Sequence, residues 1–230
     1  MTQAKPGTEV ELKLRVNDLA ALMRICVAAG ALPTSTATQR NQYLDTRDQR
    51  LDQGRFVLRL REESAGDDRQ VFLTAKGPAQ KSADGTLSVV PEEEIEVSAD
   101  VAAGIRDGAV DAFAVLVGAA GSTAARVALV DRMRAAAGGA VVVVGEFVNE
   151  RTRVEVAFPE GFTGVLELDR TRFPGDQVQH EVEFEIPAGV DVDVAKAAFE
   201  ALFARAGVVG RPAPGKASRF FKALKGERLA

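Results

Sequence analysis

Glu9-Val10-Glu11-Leu12-Lys13-Leu14-Arg15-Val16 alternates charged and aliphatic side chains without a break. A period of two puts odd and even positions on opposite faces of an extended strand, so this run predicts a strand with one charged and one apolar face. The pattern returns along the chain. Arg55, Val57, Arg59 and Arg61 share a face opposite Phe56, Leu58 and Leu60. Between Gln70 and Lys76, Phe72, Thr74 and Lys76 oppose Val71, Leu73 and Ala75, and Gly77-Pro78 ends the run. Glu92, Glu94 and Glu96 fall opposite Ile95 and Val97, and Arg151, Arg153 and Glu155 oppose Thr152, Val154 and Val156. Glu167 and Asp169 alternate with Leu166 and Leu168. Gln177, Gln179, Glu181, Glu183 and Glu185 alternate with Val178, Val182, Phe184 and Ile186.

Helical spacing interrupts these strands in three places. Asn17 is expected to cap a helix carrying Leu19, Leu22, Cys26 and Ala29 inward and stopping at Gly30. The Ala-rich stretch Asp100–Ala137 reads as helix broken near Gly118–Ser122. Asp191–Ala206 reads as an amphipathic helix with Val194, Phe199, Leu202 and Phe203 inward, and Lys216–Lys225 as a short basic helix. A further strand is expected over Thr38–Asp45. About eight strands with inserted helices, and no linker or repeat, predict one α+β domain over residues 1–230.

A sheet with one solvated face would give the same alternation. Two features favour an enclosed charged face instead. The charged positions recur in almost every strand, and several strands carry a single sign: Glu9 with Glu11, Arg59 with Arg61, Arg151 with Arg153, Glu181 with Glu183 and Glu185. Like charges two apart on one face repel, so such columns call for a ligand of opposite charge. Carboxylate columns need cations, and Arg and Lys columns need a dense anion; a polyphosphate with a divalent metal satisfies both. No P-loop glycine motif is present, so side chains must hold the phosphates. With one cysteine, Cys26, and one histidine, His180, a His/Cys zinc site is excluded, and carboxylates would hold Mg²⁺ or Mn²⁺. Both residues fall at apolar positions and are expected to pack rather than react. The net charge of −4 argues against nucleic acid. Met1–Thr8 has no apolar signal region, and the apolar stretch Ala135–Gly145 is too short and Gly-interrupted to span a bilayer, so a cytoplasmic protein is expected.

Glu9-Val10-Glu11-Leu12-Lys13 resembles the ExExK signature of the CYTH, or triphosphate tunnel metalloenzyme, superfamily. Further marks of that family follow in order: Tyr43-Leu44-Asp45-Thr46, Leu58-Arg59-Leu60-Arg61, Thr74-Ala75-Lys76-Gly77-Pro78, the Glu94/Glu96 strand, the Arg151/Arg153 strand, Leu168-Asp169, Glu181-Val182-Glu183 and Lys216-Ala217-Ser218-Arg219. The resemblance implies a closed eight-stranded antiparallel tunnel with a charged interior and helices packed outside. It implies metal-dependent chemistry on triphosphates, with Glu9, Glu11, Glu181 and Glu183 as metal ligands and Asp169 close by. Lys13, Arg59, Arg61, Lys76, Lys216 and one or both of Arg151 and Arg153 would hold phosphates, with Glu9, Glu11, Lys13 and Lys76 closest to the reaction. Either Glu94 or Glu96 is the inward carboxylate of its strand, and Glu167 is a further candidate. Two-domain bacterial members carry a helical, histidine-rich domain after the tunnel, which is not expected here.

The family includes inorganic, thiamine and RNA triphosphatases and class IV adenylate cyclases. With no Trp and one Tyr, little surface is available to stack a base or a thiazolium ring. Inorganic tripolyphosphate is therefore the first expected substrate and thiamine triphosphate the second. An adenylate cyclase and a non-enzymatic polyphosphate- or nucleotide-binding module are the alternatives. The expected partner is a small triphosphate, without nucleic acid or membrane, and a homodimer is compatible with the pattern.

Overall fold

The computed structural model describes residues 7–229 of the 230. Met1–Pro6, part of the Met1–Thr8 stretch read above as having no apolar signal region, and Ala230 lie outside the described residues. Strand β1 (Thr8–Val16) opens a sheet that continues through β2 (Pro33–Asp45), β3 (Val57–Ala65), β4 (Asp68–Lys76), β5 (Gln80–Lys81), β6 (Leu87–Glu96), β7 (Val142–Phe158), β8 (Phe162–Phe173) and β9 (Gln177–Glu185). The spatial order is β1-β9-β8-β7-β2-β3-β4-β6, and β6 returns to β1. Every pairing is antiparallel. The result is the expected closed eight-stranded barrel, in which closure leaves no free sheet edge. The two-residue β5 adds to β6 beside β4.

β1 completes the ring because it is shared. Thr8–Leu12 pair with β6 and Glu11–Val16 with β9. Its even residues, Val10, Leu12, Leu14 and Val16, are buried outward beneath helices α1 (Leu19–Ala29) and α6 (Val192–Ala206), with Phe184 and Phe199 in the same core. Phe184 is fully buried, its ring centroid 5.2 Å from Phe158 and 6.1 Å from Phe199. Only glycine fits opposite it: a Cβ on Gly164 would lie 2.4 Å from the Phe184 ring. A second core covers the outer face of β3 and β4 with helices α3 (Ala99–Arg106), α4 (Ala112–Gly118) and α5 (Ala124–Ala137). The apolar faces thus point out to the helices and the charged faces point in.

The last helix, α7 (Lys216–Leu224), has a different place. Its Phe220 and Phe221 pack on Tyr43, Phe147 and Phe173, which stand on inward positions of three strands. Tyr43 stacks on Phe220 at 4.7 Å. A helix with two consecutive phenylalanines therefore fills one end of the barrel and brings its N-terminus toward the charged interior.

Several local expectations shift. The α1 cap is Asp18, whose carboxylate accepts the Ala21 N–H at 2.8 Å; Asn17 lies one residue too early. Val194 is 42% exposed, and the inward stripe of α6 uses Ala195 and Ala198 with Phe199, Leu202 and Phe203. The Ala-rich stretch forms three helices, because Asp111 caps a new one with N–H bonds from Phe113 and Ala114. β2 starts five residues earlier than the alternation suggested, at Pro33. Arg55 and Phe56 precede β3 instead of belonging to it, since Arg55 takes a left-handed φ of 58°.

Candidate active site

The inward positions of the strands enclose a cavity of about 690 Å³. β1 contributes Glu9, Glu11 and Lys13, β3 Arg59 and Arg61, β4 Lys76, and β6 Glu92. Arg151, Glu167 and Glu183 come from β7, β8 and β9, and Lys216 from the first turn of α7. Period-two alternation around a closed ring is enough to bring the strand residues together, and α7 adds Lys216.

The like-charged columns of the sequence are largely neutralised across strands. Lys76 Nζ lies 2.7 Å from both Glu9 and Glu92. Lys13 Nζ lies 2.9 Å from Glu11 and 2.7 Å from Glu183. Arg151 reaches Asp169 and Glu183 at 2.6 Å each and also pairs with Glu167. Register explains the interleaving: Lys13 faces Glu183, Glu183 faces Glu167, and Glu167 faces Arg153 on successive strands. The repulsion inferred within each strand is thus met first by the neighbouring strands, before any ligand.

Lys216 sits at the centre of the acidic group. Its ammonium lies 2.7 Å from Asp169 and 2.8 Å from Glu183, and also pairs with Glu181. A cation in the first turn of a helix has the wrong sign for the helix dipole, so these carboxylates are what hold it there. Arg219, one turn on and 3% exposed, bonds Glu181 and donates to Gln179 at 2.7 Å. It was not among the expected site residues, although its spacing three after Lys216 puts both on one helix face. Asp169 and Glu181 therefore lie beneath the cavity wall and tie α7 down, whereas Glu183 also faces the cavity.

The other expected residues divide. Arg61 bonds Glu94 at 2.8 Å, and Glu94 also accepts from Thr74, so Glu94 is the inward carboxylate. Glu96 is exposed at the strand end. Arg153 bridges Glu63 at 2.8 Å, two strands away on β3, and Glu167 at 3.2 Å on the adjacent β8, and does not line the cavity. Glu92 does line it, and Glu185 is exposed. His180 is half-buried on the outward parity, its pKa pushed down by burial and by Arg170.

Burial raises the Glu9 and Glu11 carboxyls above the ordinary range, against the pull of Lys76 and Lys13. Burial also acts to raise Glu183, but Lys13, Lys216 and Arg151 outweigh it and hold that carboxyl well below its usual value. One site therefore contains a carboxylate firmly ionised and two that retain a proton more readily. Arg61 is pushed down by burial and by neighbouring Arg59, an arrangement that an added anion would relieve. The buried Nε atoms of Arg59 and Arg61 lack a hydrogen-bond partner.

The donor set fits a hard divalent cation. Asp169, Glu181 and Glu183 offer carboxylate oxygens within 4.8 Å of one another, all buried. Oxygen-only donors suit Mg²⁺ or Mn²⁺. The Lys216 ammonium among them shows that the cluster is built around positive charge.

A sequence profile of the CYTH domain matches residues 7–221. The chain belongs to the CYTH family. The CYTH barrel is shared with solved structures of low identity. HpAC1 from Hippeastrum, a candidate adenylyl cyclase described as having a dominant triphosphatase activity, is 24% identical; the match covers 96% of this chain and 97% of that one, with a TM-score of 0.74. A candidate adenylate cyclase from Bacillus halodurans is 21% identical, covering 94% and 99%, with a TM-score of 0.62. The PH1819 protein from Pyrococcus horikoshii OT3 is 20% identical, covering 88% and 92%, with a TM-score of 0.56. At these identities the likeness carries the CYTH fold. Comparison with curated proteins gives no match. Among the described residues, no helix is long and apolar enough to cross a membrane.

Proposed function

We propose that this chain, as a single tunnel domain, is a metal-dependent triphosphatase that hydrolyses a terminal phosphoanhydride of a small triphosphate, inorganic tripolyphosphate first and thiamine triphosphate second. The observation that carries this reading is the cavity wall, where Lys13, Arg59, Arg61, Lys76, Arg151 and Lys216 meet Glu9, Glu11 and Glu183 in one enclosed space. Family membership and the triphosphatase activity of the Hippeastrum protein support it.

Arg59 and Arg61, on the cavity wall, would take phosphate oxygens, and Lys76 and Lys13 would neutralise the remaining charge. Most of the rate enhancement would come from this fixed array of cations around the transferring phosphoryl group. Glu9, Glu11, Glu181 and Glu183, with Asp169 beside them, would hold a divalent cation, which supplies charge neutralisation and Lewis acidity when bound. Carboxylates of the Glu9/Glu11 and Glu181/Glu183 strands would orient the attacking water.

The two aromatic rings on the cavity wall are already engaged. Tyr43 is stacked on Phe220, and Phe56 lies under Arg132 at 5.5 Å. Little ring surface remains for a base, which favours tripolyphosphate over ATP and hydrolysis over cyclisation. The test is a panel of tripolyphosphate, thiamine triphosphate and ATP with Mg²⁺ or Mn²⁺, following phosphate, pyrophosphate and cyclic AMP. Phosphate release led by tripolyphosphate is expected. Cyclic AMP as the main product would identify a cyclase, and binding without turnover would identify a binding module.

A further inference from the structure

Phe72 stands on the charged face of β4, in line with Thr74 and Lys76, and is half-buried there. The inward rings Tyr43, Phe147 and Phe173 pack with α7 at one end of the barrel. Among the described residues, Phe72 joins none of the three apolar clusters. Its neighbour is a cation instead. The β3–β4 register sets Phe72 directly opposite Arg61, and the Arg61 Cζ lies over the ring, 5.0 Å from its centroid. That is within the distance of about 6 Å at which a ring face attracts a guanidinium.

The surrounding carboxylates leave this column short of negative charge. Thr74, the next inward residue of β4, faces Arg59, accepts from it at 3.3 Å and donates to Glu94 at 2.6 Å. Glu94 is shared, at 2.8 Å from Arg61 and 3.5 Å from Arg59. Glu63 lies 3.9 Å from Arg61 and is engaged more closely by Arg153 at 2.8 Å and Gln39 at 2.7 Å. Two adjacent arginines therefore have one close carboxylate between them.

Arg61 is held by few contacts for a buried cation. Its Nη2 donates to Glu94, while its Nε has no hydrogen-bond partner. One hydrogen bond leaves the guanidinium free to turn about it, and a ring lying against the plane removes that freedom. A carboxylate in place of the ring would also hold Arg61, but it would cancel the charge that a phosphate needs. The negative face of an aromatic ring attracts the cation and leaves its net charge in place. Arg61 lines the cavity and Phe72 does not, so the ring acts on a ligand only through the arginine.

We propose that Phe72 is a positioning residue, whose ring holds the Arg61 guanidinium toward the phosphates of the substrate without neutralising it. This rests on the reading of Arg61 as a phosphate ligand.

The test is a double-mutant cycle on the full chain, with tripolyphosphate binding measured by calorimetry in EDTA, where the proposed turnover is absent, and a ligand-free melt of each variant. Phe72→Leu keeps an apolar side chain and should weaken binding about three- to tenfold. Phe72→Trp, the strongest ring for this contact, should bind at least as tightly as wild type. Phe72→Glu gives Arg61 a carboxylate of its own and should weaken binding more than Phe72→Leu does. In an Arg61→Ala background, Phe72→Leu should change the affinity no further, since the ring acts through the arginine. Equal weakening by Phe72→Leu with and without Arg61, or a Phe72→Trp as weak as Phe72→Leu, overturns the proposal and makes Phe72 a packing residue. Unchanged affinity in Phe72→Leu overturns it too, and in both cases the triphosphate cavity stands. Failure of wild type to bind tripolyphosphate either in EDTA or with Mn²⁺ overturns the reading of the cavity, and the role of Phe72 with it.

Discussion

Replacing Lys216 by Met gives the sharpest test of how the acidic cluster is balanced. Met keeps side-chain length and helix propensity while removing the ammonium that lies against Asp169, Glu181 and Glu183. Arg151 and Arg219 remain, but three buried carboxylates within 4.8 Å of one another then lose their shared partner. Breaking a buried pair from one side costs about 3–5 kcal/mol. In a chain of this size each kcal/mol lowers Tm by about 2–4 °C, so Lys216→Met should melt about 10 °C below wild type without metal. Mn²⁺ should then protect the variant more than wild type, since the competing ammonium is gone; saturation at a hundredfold excess over Kd returns about 2.7 kcal/mol. The assay is a thermal melt across an Mn²⁺ titration, with no substrate present. A variant melting within about 2 °C of wild type would show that the ammonium does not hold the cluster. Equal Mn²⁺ protection of both proteins would refute the metal assignment of these carboxylates.

Three further outcomes are expected. Glu183 has a depressed pKa, so its stabilising contribution is complete above the unfolded value of 4.5 and is lost as pH falls through the lower folded value; Glu183→Gln should melt earlier at neutral pH and show a flatter acid limb in Tm against pH. Glu11 has a raised pKa, so its ionised form is disfavoured in the folded state above 4.5; Glu11→Gln should melt at or above wild type at pH 7, converge with it toward pH 4.5, and lose turnover, and an early melt with normal turnover would make Glu11 scaffold. Arg59→Ala should weaken tripolyphosphate binding by at least tenfold without changing the Mn²⁺ concentration needed for half-maximal activity, whereas exhaustive EDTA treatment should abolish turnover in every variant.

The parity of each strand was legible because side-chain period is a local property. Glu9 to Val16 needs no partner to declare its two faces, whereas closure of the barrel was implied by the family resemblance, since a sheet with one solvated face gives the same alternation. Which charge meets which was not legible. Arg153 and Glu63 lie far apart in sequence, and only the ring order β7-β2-β3 brings them to 2.8 Å. The same holds for Glu183, whose neighbours come from β1, β7 and α7. The local misses were of another kind. Asn17 and Asp18 are both competent caps, and Asp18 is the one whose backbone reaches the extended conformation before the helix. Arg55 matched the alternation of its strand but belongs to the preceding turn, since α2 (Arg50–Gln53) ends in a left-handed residue at this position.

The double pairing of β1 also sets the order in which this barrel can fold. Hairpins β3–β4, β7–β8 and β8–β9 join near neighbours and can form on their own within microseconds. The ladder joining Glu11 to Glu185 must close a loop that spans most of the chain, with its entropy lost before any contact compensates. Until then β1, β6 and β9 present open edges, and the charges on the inward face of β1 discourage pairing with other chains. Lys13 meets Glu183 only when β1 pairs with β9, so this part of the charged lining is completed as the barrel seals.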